Sequence, residues 1–391
     1  MLIPKIISTS KKYLLSWQNK PMSEVSINKI HFKIGIFMLK KVFGFKKGPV
    51  KVGLQLTKKC NLDCIQCFAK NSSNSFLELN RQEIVKTLKG LRSIGSIFLV
   101  LTGGEPLLRN DIYNVVKDAV GLGFITALAT NATLLTKDKA YRLKNCGLDY
   151  IHISLDGATA KQHDYFRGEG AFEKTIQGLR AAVSAKVSVC VTTTVTRQNK
   201  DNLEEIIELL IRENIKQWSP IFLVPCGQAK VIYPSHAIKE KNEILALMEK
   251  IYIIENKFKR RIKIYIHDPQ LYFAYLLWSK KAGIFRKIFI WIRKGCGILN
   301  ALTLYINSDG TIKPCAYFPD SLRGVNVKTH NIGEVFCNNE QLLSLRNKHA
   351  LKGECRDCKF LFCCGGCRAR IFINTGDFFA QEQNCPFFKK R

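Results

Sequence analysis

Residues 50–67 read VKVGLQLTKKCNLDCIQC, an apolar run that leads directly into three closely spaced cysteines. The run at 50–56 predicts a β-strand. Five more apolar runs predict further strands, at 96–101, 124–129, 150–155, 188–195 and 217–224. Helical patterns lie between them, at 81–94, 110–121, 136–145, 171–185 and 201–214. This alternation is typical of βα units around a parallel sheet, and six strands predict an α/β fold with a partial (β/α)6, TIM-like barrel.

The segments that follow these strands have unusual compositions. The first strand is followed by TKKCNLDCIQC, the second by TGGEP, the third by TN and the fourth by the Asp-Gly of SLDG. The fifth strand ends in TTTVTRQN and the sixth in PCGQ. In a (β/α) barrel the chemistry takes place at the carboxyl ends of the strands, so we expect the functional site on this rim.

The cysteines of the first segment are spaced Cys60-x3-Cys64-x2-Cys67. Four thiolates saturate a 4Fe-4S cluster, so a loop that supplies three leaves one iron open. Such an iron can be chelated by the amino and carboxylate groups of a small molecule. Zinc is the alternative, but a structural zinc site usually pairs two Cys-x2-Cys or Cys/His elements, and no second pair lies close to this loop.

With TGGEP after the second strand, residues 50–225 resemble the radical S-adenosylmethionine (SAM) superfamily. The resemblance implies that the triplet holds a catalytic 4Fe-4S cluster that binds SAM. It also implies that the TGGEP segment meets the SAM amino group through Gly103, Gly104, Glu105 and Pro106. It assigns Ser154 and Arg167 to the SAM ribose or carboxylate, and Asn131 and Thr194 to its ribose or methionine. For these last four residues, a strand-end hydrogen bond is the alternative role.

One position departs from the family pattern. The residue before the third cysteine is usually aromatic or histidine in the family and packs beside the adenine, whereas this chain has Gln66. The nearby aromatic residue Phe68 is a candidate to replace that packing.

The carboxy-terminal segment contains a second set of thiols, which resembles the SPASM domain that binds two auxiliary 4Fe-4S clusters. The resemblance implies an inner cluster on Cys296, Cys315 and Cys367, and an outer cluster on Cys355, Cys358, Cys364 and Cys385. The fourth position of the inner cluster is then open, or closed by Cys226, Cys337 or a ligand other than a thiol.

Other interpretations of these cysteines stay open. Cys363 and Cys364 are adjacent, and each preserves one common ligand spacing; we favour Cys364, because CGGCRAR resembles a variant in the haem-pathway branch. Two zinc ribbons are the alternative for the whole segment. Cys146 and Cys190 are expected to be buried thiols. Cys226 follows the sixth strand and could be a ligand, a hydrogen donor or a core residue.

The overall composition suits a globular protein. The chain has 391 residues, 46% of them hydrophobic and 24% charged, which excludes a disordered or fibrous protein. The expected divisions are a basic extension (1–48), the barrel (49–228), a basic helical connecting region (229–295) and the auxiliary-cluster domain (296–391). Fifteen cysteines at ligand-like spacings, with no secretory signal, predict a reducing, cytoplasmic location.

The formal net charge of +30 favours acidic partners, unless it reflects only a lysine-rich proteome. Residues 26–47 and 279–294 mix basic and apolar side chains without an acid, which suits either a membrane surface or docking on the protein's own core. We expect a monomer that receives electrons from a donor such as ferredoxin or flavodoxin, and we do not expect nucleic acid as a partner.

These parts predict an enzyme that cleaves SAM to a 5'-deoxyadenosyl radical and oxidatively modifies a ribosomal peptide or a haem-like cofactor precursor. The motifs YINSDGTIKPCAYFP, CGGCRAR and NTGDFFA resemble the haem and cofactor group most closely. The 50 residues before the barrel are too few for a separate leader-binding module, which disfavours a peptide, whereas the net charge would attract an acidic leader. The sulfatase-maturing members of the family have an acid, acting as a base, where this chain has Ala316. This difference disfavours sulfatase maturation. The alternative is a non-catalytic iron-sulfur or zinc scaffold, or an electron-transfer partner.

Overall fold

The computed structural model describes residues 48–70, 77–266, 269–293, 295–319 and 325–388. All six predicted strands are present and start or end within a few residues of the predicted bounds. They are β1 (Lys51–Gln55), β2 (Phe98–Thr102), β3 (Ile125–Thr130), β4 (Tyr150–Ser154), β5 (Ser188–Val195) and β6 (Gln217–Phe222). Three shorter strands follow: β7 (Lys263–Ile264), β8 (Thr303–Ile306) and β9 (Ile312–Lys313).

The strands form one nine-stranded sheet in the order β7-β6-β5-β4-β3-β2-β1-β8-β9. Every neighbouring pair is parallel except β8 and β9. Within the described residues β7 and β9 do not pair with each other, so the sheet is not closed. The predicted partial, TIM-like barrel is confirmed.

The C-terminal segment extends this sheet. Strand β8 lies beside β1, with Lys51 opposite Thr303 and Leu54 opposite Ile306. An added Cβ on Gly53 would lie 2.5 Å from the ring of Tyr305, so the glycine lets this ring cross β1. Residues of the predicted domain 296–391 therefore contribute to the barrel sheet, and the domain boundaries stay a prediction.

Five helices on the barrel match the predicted ones, and a sixth, α4, was not predicted. They are α1 (Arg81–Ser93), α2 (Ile112–Gly121), α3 (Lys137–Asn145), α4 (Ala160–Arg167), α5 (Ala171–Ser184) and α6 (Leu203–Arg212). Helix α1 begins with a capping box, in which Asn80 and Glu83 each accept the other's backbone N–H, a motif that contributes about 1 kcal/mol. Its residues Ile84, Leu88 and Leu91 are fully buried against the sheet.

The remaining helices follow the sixth strand. They are α7 (Ala229–His236), α8 (Lys241–Phe258), α9 (Pro269–Trp278), α10 (Ile284–Arg293), α11 (Ile332–Asn338), α12 (Glu340–Ser344) and α13 (Arg368–Thr375), and single 3-10 turns span Pro106–Leu108, Lys348–Ala350 and Gly353–Cys355. None of the helices in the described part of the chain combines the length and apolar character needed to cross a membrane.

Of the two basic segments, the structure describes only residues 279–293 of the second. Residues 26–47 lie outside the described residues. In the second segment, Lys281 contacts Glu249 and Arg286 contacts Glu255, so two of its cations pair with acids of α8. Ile284 and Phe289 of α10 remain exposed. A membrane contact for these segments stays a prediction.

Candidate functional site: a thiol loop on the barrel rim

The loop after β1 carries the triplet Cys60, Cys64 and Cys67 and is fastened to the loop after β2. The N–H of Gly104 donates to the Thr57 carbonyl (2.7 Å), and the N–H of Glu105 donates to the Lys59 carbonyl (2.8 Å). An added Cβ on Gly104 would lie 2.3 Å from the Lys59 oxygen. The TGGEP segment therefore needs a residue without a side chain here, because its backbone lies directly against the cysteine loop.

The far end of the cysteine loop is held by two other elements. The carbonyl of Cys67 accepts the N–H groups of Gln228 (2.9 Å) and Ala229 (3.3 Å) at the start of α7. The N–H of Ile65 donates to the carbonyl of Phe166 in α4 (3.0 Å). The loop after β1 is thus fixed by the segments after β2, β4 and β6, as expected for a site on the rim.

The three thiols lie close enough to influence one another. Burial raises the pKa of each, and the charge of a second triplet thiol raises it further, while the Arg167 cation lowers all three. Arg167 Nη1 donates to Cys64 Sγ (3.8 Å), and Asn131 Nδ2 donates to Cys60 Sγ (3.9 Å). Neighbouring thiols with cationic and amide donors suit a cluster that carries negative charge on its sulfurs.

The carboxylate of Glu105 is fully buried beside this loop. Burial raises its pKa, and hydrogen bonds from the N–H groups of Leu107 and Asn131 and the hydroxyl of Thr130 oppose that rise. The distances from the donors to the carboxylate oxygens are 2.8–3.0 Å. Glu105 therefore ties the loop after β2 to the end of β3, and its contact with SAM stays a prediction.

The other predicted SAM contacts lie at neighbouring strand ends. Asn131 Oδ1 accepts the N–H of Thr133 (2.9 Å), so Asn131 makes a strand-end hydrogen bond as well as its contact with Cys60. Ser154 is the last residue of β4. It lies opposite Thr192 of β5, two residues before Thr194. The Thr194 carbonyl accepts Asn199 Nδ2 (2.9 Å). The roles of these three residues in SAM binding stay predictions.

Sequence reasoning missed a buried polar residue of the rim, Asp156, that connects three separate segments. This buried carboxylate accepts hydrogen bonds from Gln66 Nε2, Arg167 Nε and the N–H of Thr194, each at 2.7 Å. The only signal in the sequence was its place in SLDG after the fourth strand. Gln66, the atypical residue of the triplet loop, therefore has a definite partner. Phe68 packs edge-to-face on Tyr317, with 5.1 Å between ring centroids.

The four thiols predicted for the outer cluster lie near one another. Burial, and then the charges of Cys355 and Cys358, raise the pKa of Cys385 to about 12. Burial, and then the charges of Cys385, Cys363 and Cys355, also raise the pKa of Cys364. Backbone N–H groups donate to three of these sulfurs: Glu382 to Cys355, Phe360 to Cys358 and Gly366 to Cys364. These contacts are the kind that hold and tune cluster thiolates.

The neighbouring thiol of Cys363 has a different environment. It is fully buried, and its Sγ donates to the Phe360 carbonyl (3.4 Å). Cys364, in contrast, accepts the N–H of Gly366 (3.4 Å). A thiol that donates must keep its proton, whereas a ligand must lose it. The charge of Cys358 also acts on Cys363, so Cys363 too lies near the outer set, and the choice of Cys364 stays a prediction.

The inner set is assembled from separate segments. Burial and the charge of Cys296 raise the pKa of Cys315. The N–H of Cys296 donates to the Cys364 carbonyl (3.3 Å). Cys367, the residue just before α13, donates its N–H to Glu382 Oε2 (3.3 Å). Burial and the charge of Cys315 raise the pKa of Cys226 to about 12, which places Cys226 close to this set. Cys337 lies in α11 near Arg346.

Across residues 48–388, apart from the gaps given above, no three His, Cys, Asp or Glu side chains could hold a single metal ion. A 4Fe-4S cluster distributes its thiolates over four irons and does not need them to converge on one point.

Family models match both halves of this arrangement. A model of the radical SAM superfamily matches residues 54–210, and SPASM, an iron-sulfur cluster-binding domain, matches residues 296–359. The AdoMet-dependent heme synthase of Methanosarcina barkeri is 32% identical over 349 residues, which cover 87% of this chain and 97% of that protein. The pre-heme d1 synthase of Dinoroseobacter shibae is 29% identical and covers 84% of each chain.

Solved structures agree on the fold. Streptococcus suis SuiB bound to S-adenosylmethionine superposes with a TM-score of 0.72 at 18% identity, and covers 98% of this chain and 87% of SuiB. Native anSMEcpe with bound AdoMet gives a TM-score of 0.66 at 19% identity, and covers 86% of this chain and 94% of its own. The non-catalytic scaffold finds no support in these comparisons. The chain belongs to the radical SAM superfamily, with a barrel domain that binds a 4Fe-4S cluster and SAM and a SPASM domain that binds auxiliary iron-sulfur clusters.

Proposed function

We propose that this enzyme reductively cleaves SAM and oxidatively modifies a haem-like tetrapyrrole precursor. The observation that carries the proposal is the extent of the similarity. Relatives named AdoMet-dependent heme synthase, pre-heme d1 synthase and Fe-coproporphyrin III synthase align over 84–89% of this chain. Relatives named probable GTP 3',8-cyclase align over 69%. The resemblance to the haem-named proteins therefore extends well beyond the barrel core.

The proposed roles follow from the rim. Cys60, Cys64 and Cys67 hold the catalytic cluster, and Glu105 and Arg167 bracket the loop with opposite charges, suited to the ammonium and carboxylate of SAM. When bound, the cluster and SAM together supply a 5'-deoxyadenosyl radical that removes a substrate hydrogen. The remaining proposed SAM contacts are Gly103, Gly104, Pro106, Asn131, Ser154 and Thr194.

The charge of the molecule suits a carboxylate-bearing substrate. The net charge of +30 attracts polyanions. Val195 and Phe222, at the carboxyl ends of β5 and β6, lie beside Met248 of α8 and Arg370 of α13 around a small cavity with room for about one water molecule. Barrel and SPASM residues therefore meet at this point, but the cavity itself is too small for a tetrapyrrole. The SPASM thiols, in the sets given above, hold the two auxiliary clusters. These clusters accept or relay an electron, while ferredoxin or flavodoxin supplies the first electron to the catalytic cluster.

A ribosomal peptide is the competing substrate, and turnover decides between the two. Anaerobically reconstituted protein, dithionite and SAM are incubated with iron coproporphyrin III or with an acidic leader peptide. We expect 5'-deoxyadenosine together with a mass change of the tetrapyrrole. Cys146→Ala removes a thiol remote from the rim and is the matched control for loss of a cysteine. Modification of the peptide with an unchanged tetrapyrrole would overturn the proposal.

A further inference from the structure

Asp156 joins three elements at the rim through one buried carboxylate. Its Oδ1 accepts the N–H of Thr194 from β5, and its Oδ2 accepts both Gln66 Nε2 from the cysteine loop and Arg167 Nε from the end of α4. Asp156 is 0% exposed, and the Arg167 side chain is only 10% exposed. A buried charge of this kind persists only when it is paired and hydrogen-bonded, and both conditions are met here.

Arg167 extends this arrangement to the cysteine triplet. Its Nε is held by Asp156 Oδ2 (2.7 Å), and its Nη1 donates to Cys64 Sγ (3.8 Å). The guanidinium is planar and rigid, so fixing Nε also fixes the direction of Nη1. The adjacent carbonyl of Phe166 accepts the N–H of Ile65 (3.0 Å), which keeps the end of α4 in register with the loop.

Gln66 is chemically matched to the same carboxylate. An aromatic hydrocarbon side chain at this position would offer Asp156 no donor, whereas the Gln66 amide donates to Oδ2 at 2.7 Å. Compared with an aromatic hydrocarbon at this position, Gln66 therefore adds a second hydrogen-bonded link between Asp156 and the segment Cys64–Cys67.

We propose that Asp156 is a positioning residue that sets the reduction potential of the catalytic cluster, because it holds Arg167 with Nη1 on Cys64 Sγ. The inference rests on the proposed assignment of that cluster to Cys60, Cys64 and Cys67. Reduction adds one negative charge to the cluster. A cation and an N–H donor at a ligand sulfur stabilise the reduced form, so they raise the potential.

Substituting Asp156 separates positioning from simple charge. Loss of a carboxylate alone removes a negative charge near the cluster and would raise the potential. Release of Arg167 removes the N–H···S contact and lets the cation move away, which lowers the potential. Positioning therefore predicts that Asp156→Ala lowers it. Arg167→Lys is the second variant: its single ammonium pairs with Asp156 and leaves Cys64 without a donor, so the potential falls although the charge is kept.

The measurement is an EPR-monitored redox titration of the reconstituted full chain without SAM, with dithionite as reductant. The Cys60/Cys64/Cys67→Ala triple variant supplies the auxiliary-cluster signal for subtraction. At the wild-type midpoint, we expect the ratio of reduced to oxidised catalytic cluster to fall about tenfold in both variants, a shift of about 59 mV. Glu213→Gln breaks the exposed pair with Arg180, remote from the triplet, and should leave the ratio unchanged.

The outcomes are distinct. A raised or unchanged potential in Asp156→Ala or in Arg167→Lys overturns the inference, and Arg167→Lys decides the matter if Asp156→Ala does not fold. Iron content and the change of the EPR signal on adding SAM are recorded for every variant. If the triple cysteine variant kept a SAM-sensitive signal, the proposed cluster assignment itself would be wrong. A third outcome is that the triple variant loses the SAM-sensitive signal, while Arg167→Lys keeps the signal and the wild-type potential. In that case the cluster assignment stands and only the positioning role fails.

Discussion

Single residues at the rim combine two tasks, holding the loop and preparing it for a charged cofactor. Asn131 donates to Cys60 and also accepts from Thr133, and Arg167 donates both to Cys64 and to Asp156. Substitution of such residues is therefore expected to change the cluster as well as the local structure. The thiols themselves give cleaner tests.

Replacing Cys64 is the first of these tests. Cys64→Ala removes one of three proposed ligands and should abolish 5'-deoxyadenosine release, because the cluster that accepts SAM is no longer held. Release is measured by chromatography after anaerobic incubation with dithionite and SAM. Cys146→Ala should keep wild-type release. A Cys64→Ala protein with wild-type release would refute the triplet assignment.

Replacing Cys363 and Cys364 in turn decides which one is a ligand. Cys364→Ala removes a thiol that lies near Cys385 and Cys355, so iron content should fall by up to about four atoms per chain. Cys363→Ala removes a thiol that donates to a backbone carbonyl, so this variant should keep the wild-type iron content. Iron analysis of the two reconstituted variants makes the comparison. The opposite result would transfer the ligand role to Cys363.

At the scale of elements, the site depends on how loops approach one another. Gly104→Ala would place a Cβ 2.3 Å from the Lys59 carbonyl oxygen, so the loop after β2 should separate from the cysteine loop. We expect loss of iron from the catalytic cluster and of SAM cleavage. Gly121→Ala, at the end of α2, meets nothing within 4 Å and should be neutral or stabilising by up to about 1 kcal/mol in thermal unfolding. Equal cluster content in both variants would contradict the close-approach argument.

The elements also show what the sequence could and could not predict. Short apolar runs predicted β1 to β6 because buried parallel strands are largely apolar along their length. Strand β8 spans four residues inside a cysteine-rich segment, too short for its pairing with β1 to be recognised. Helix α4 was missed because only His163 and Phe166 of its eight residues are buried. The role of Asp156 depends on contacts with segments up to 90 residues away, which no local pattern reveals.

At the scale of the whole molecule, the barrel and the SPASM segment are mechanically joined. Strand β8 extends the barrel sheet, and the charges of both Cys315 of the inner set and Cys67 on the rim act on the pKa of Cys226. This arrangement suits an auxiliary cluster that exchanges an electron with chemistry on the rim. It also predicts that the auxiliary clusters matter for product formation more than for SAM cleavage.

Removing an outer-cluster ligand tests that division. Cys358→Ala should leave some uncoupled SAM cleavage but no product, because the rim triplet is intact while the electron acceptor is lost. The wild type should contain about twelve irons per chain if all three clusters are 4Fe-4S, and the variant fewer. Paired measurement of 5'-deoxyadenosine and product in each protein gives the result. Stoichiometric zinc in place of iron would overturn the auxiliary-cluster assignment.

The most direct test of the proposed function is hydrogen transfer from the substrate. Iron coproporphyrin III deuterated on its side chains is incubated with the reconstituted enzyme, dithionite and SAM, and the 5'-deoxyadenosine is analysed by mass spectrometry. The proposal predicts one deuterium in the 5'-deoxyadenosine and a matching mass change in the tetrapyrrole, both absent with Cys64→Ala. Release of 5'-deoxyadenosine without deuterium, from an unchanged tetrapyrrole, would contradict it.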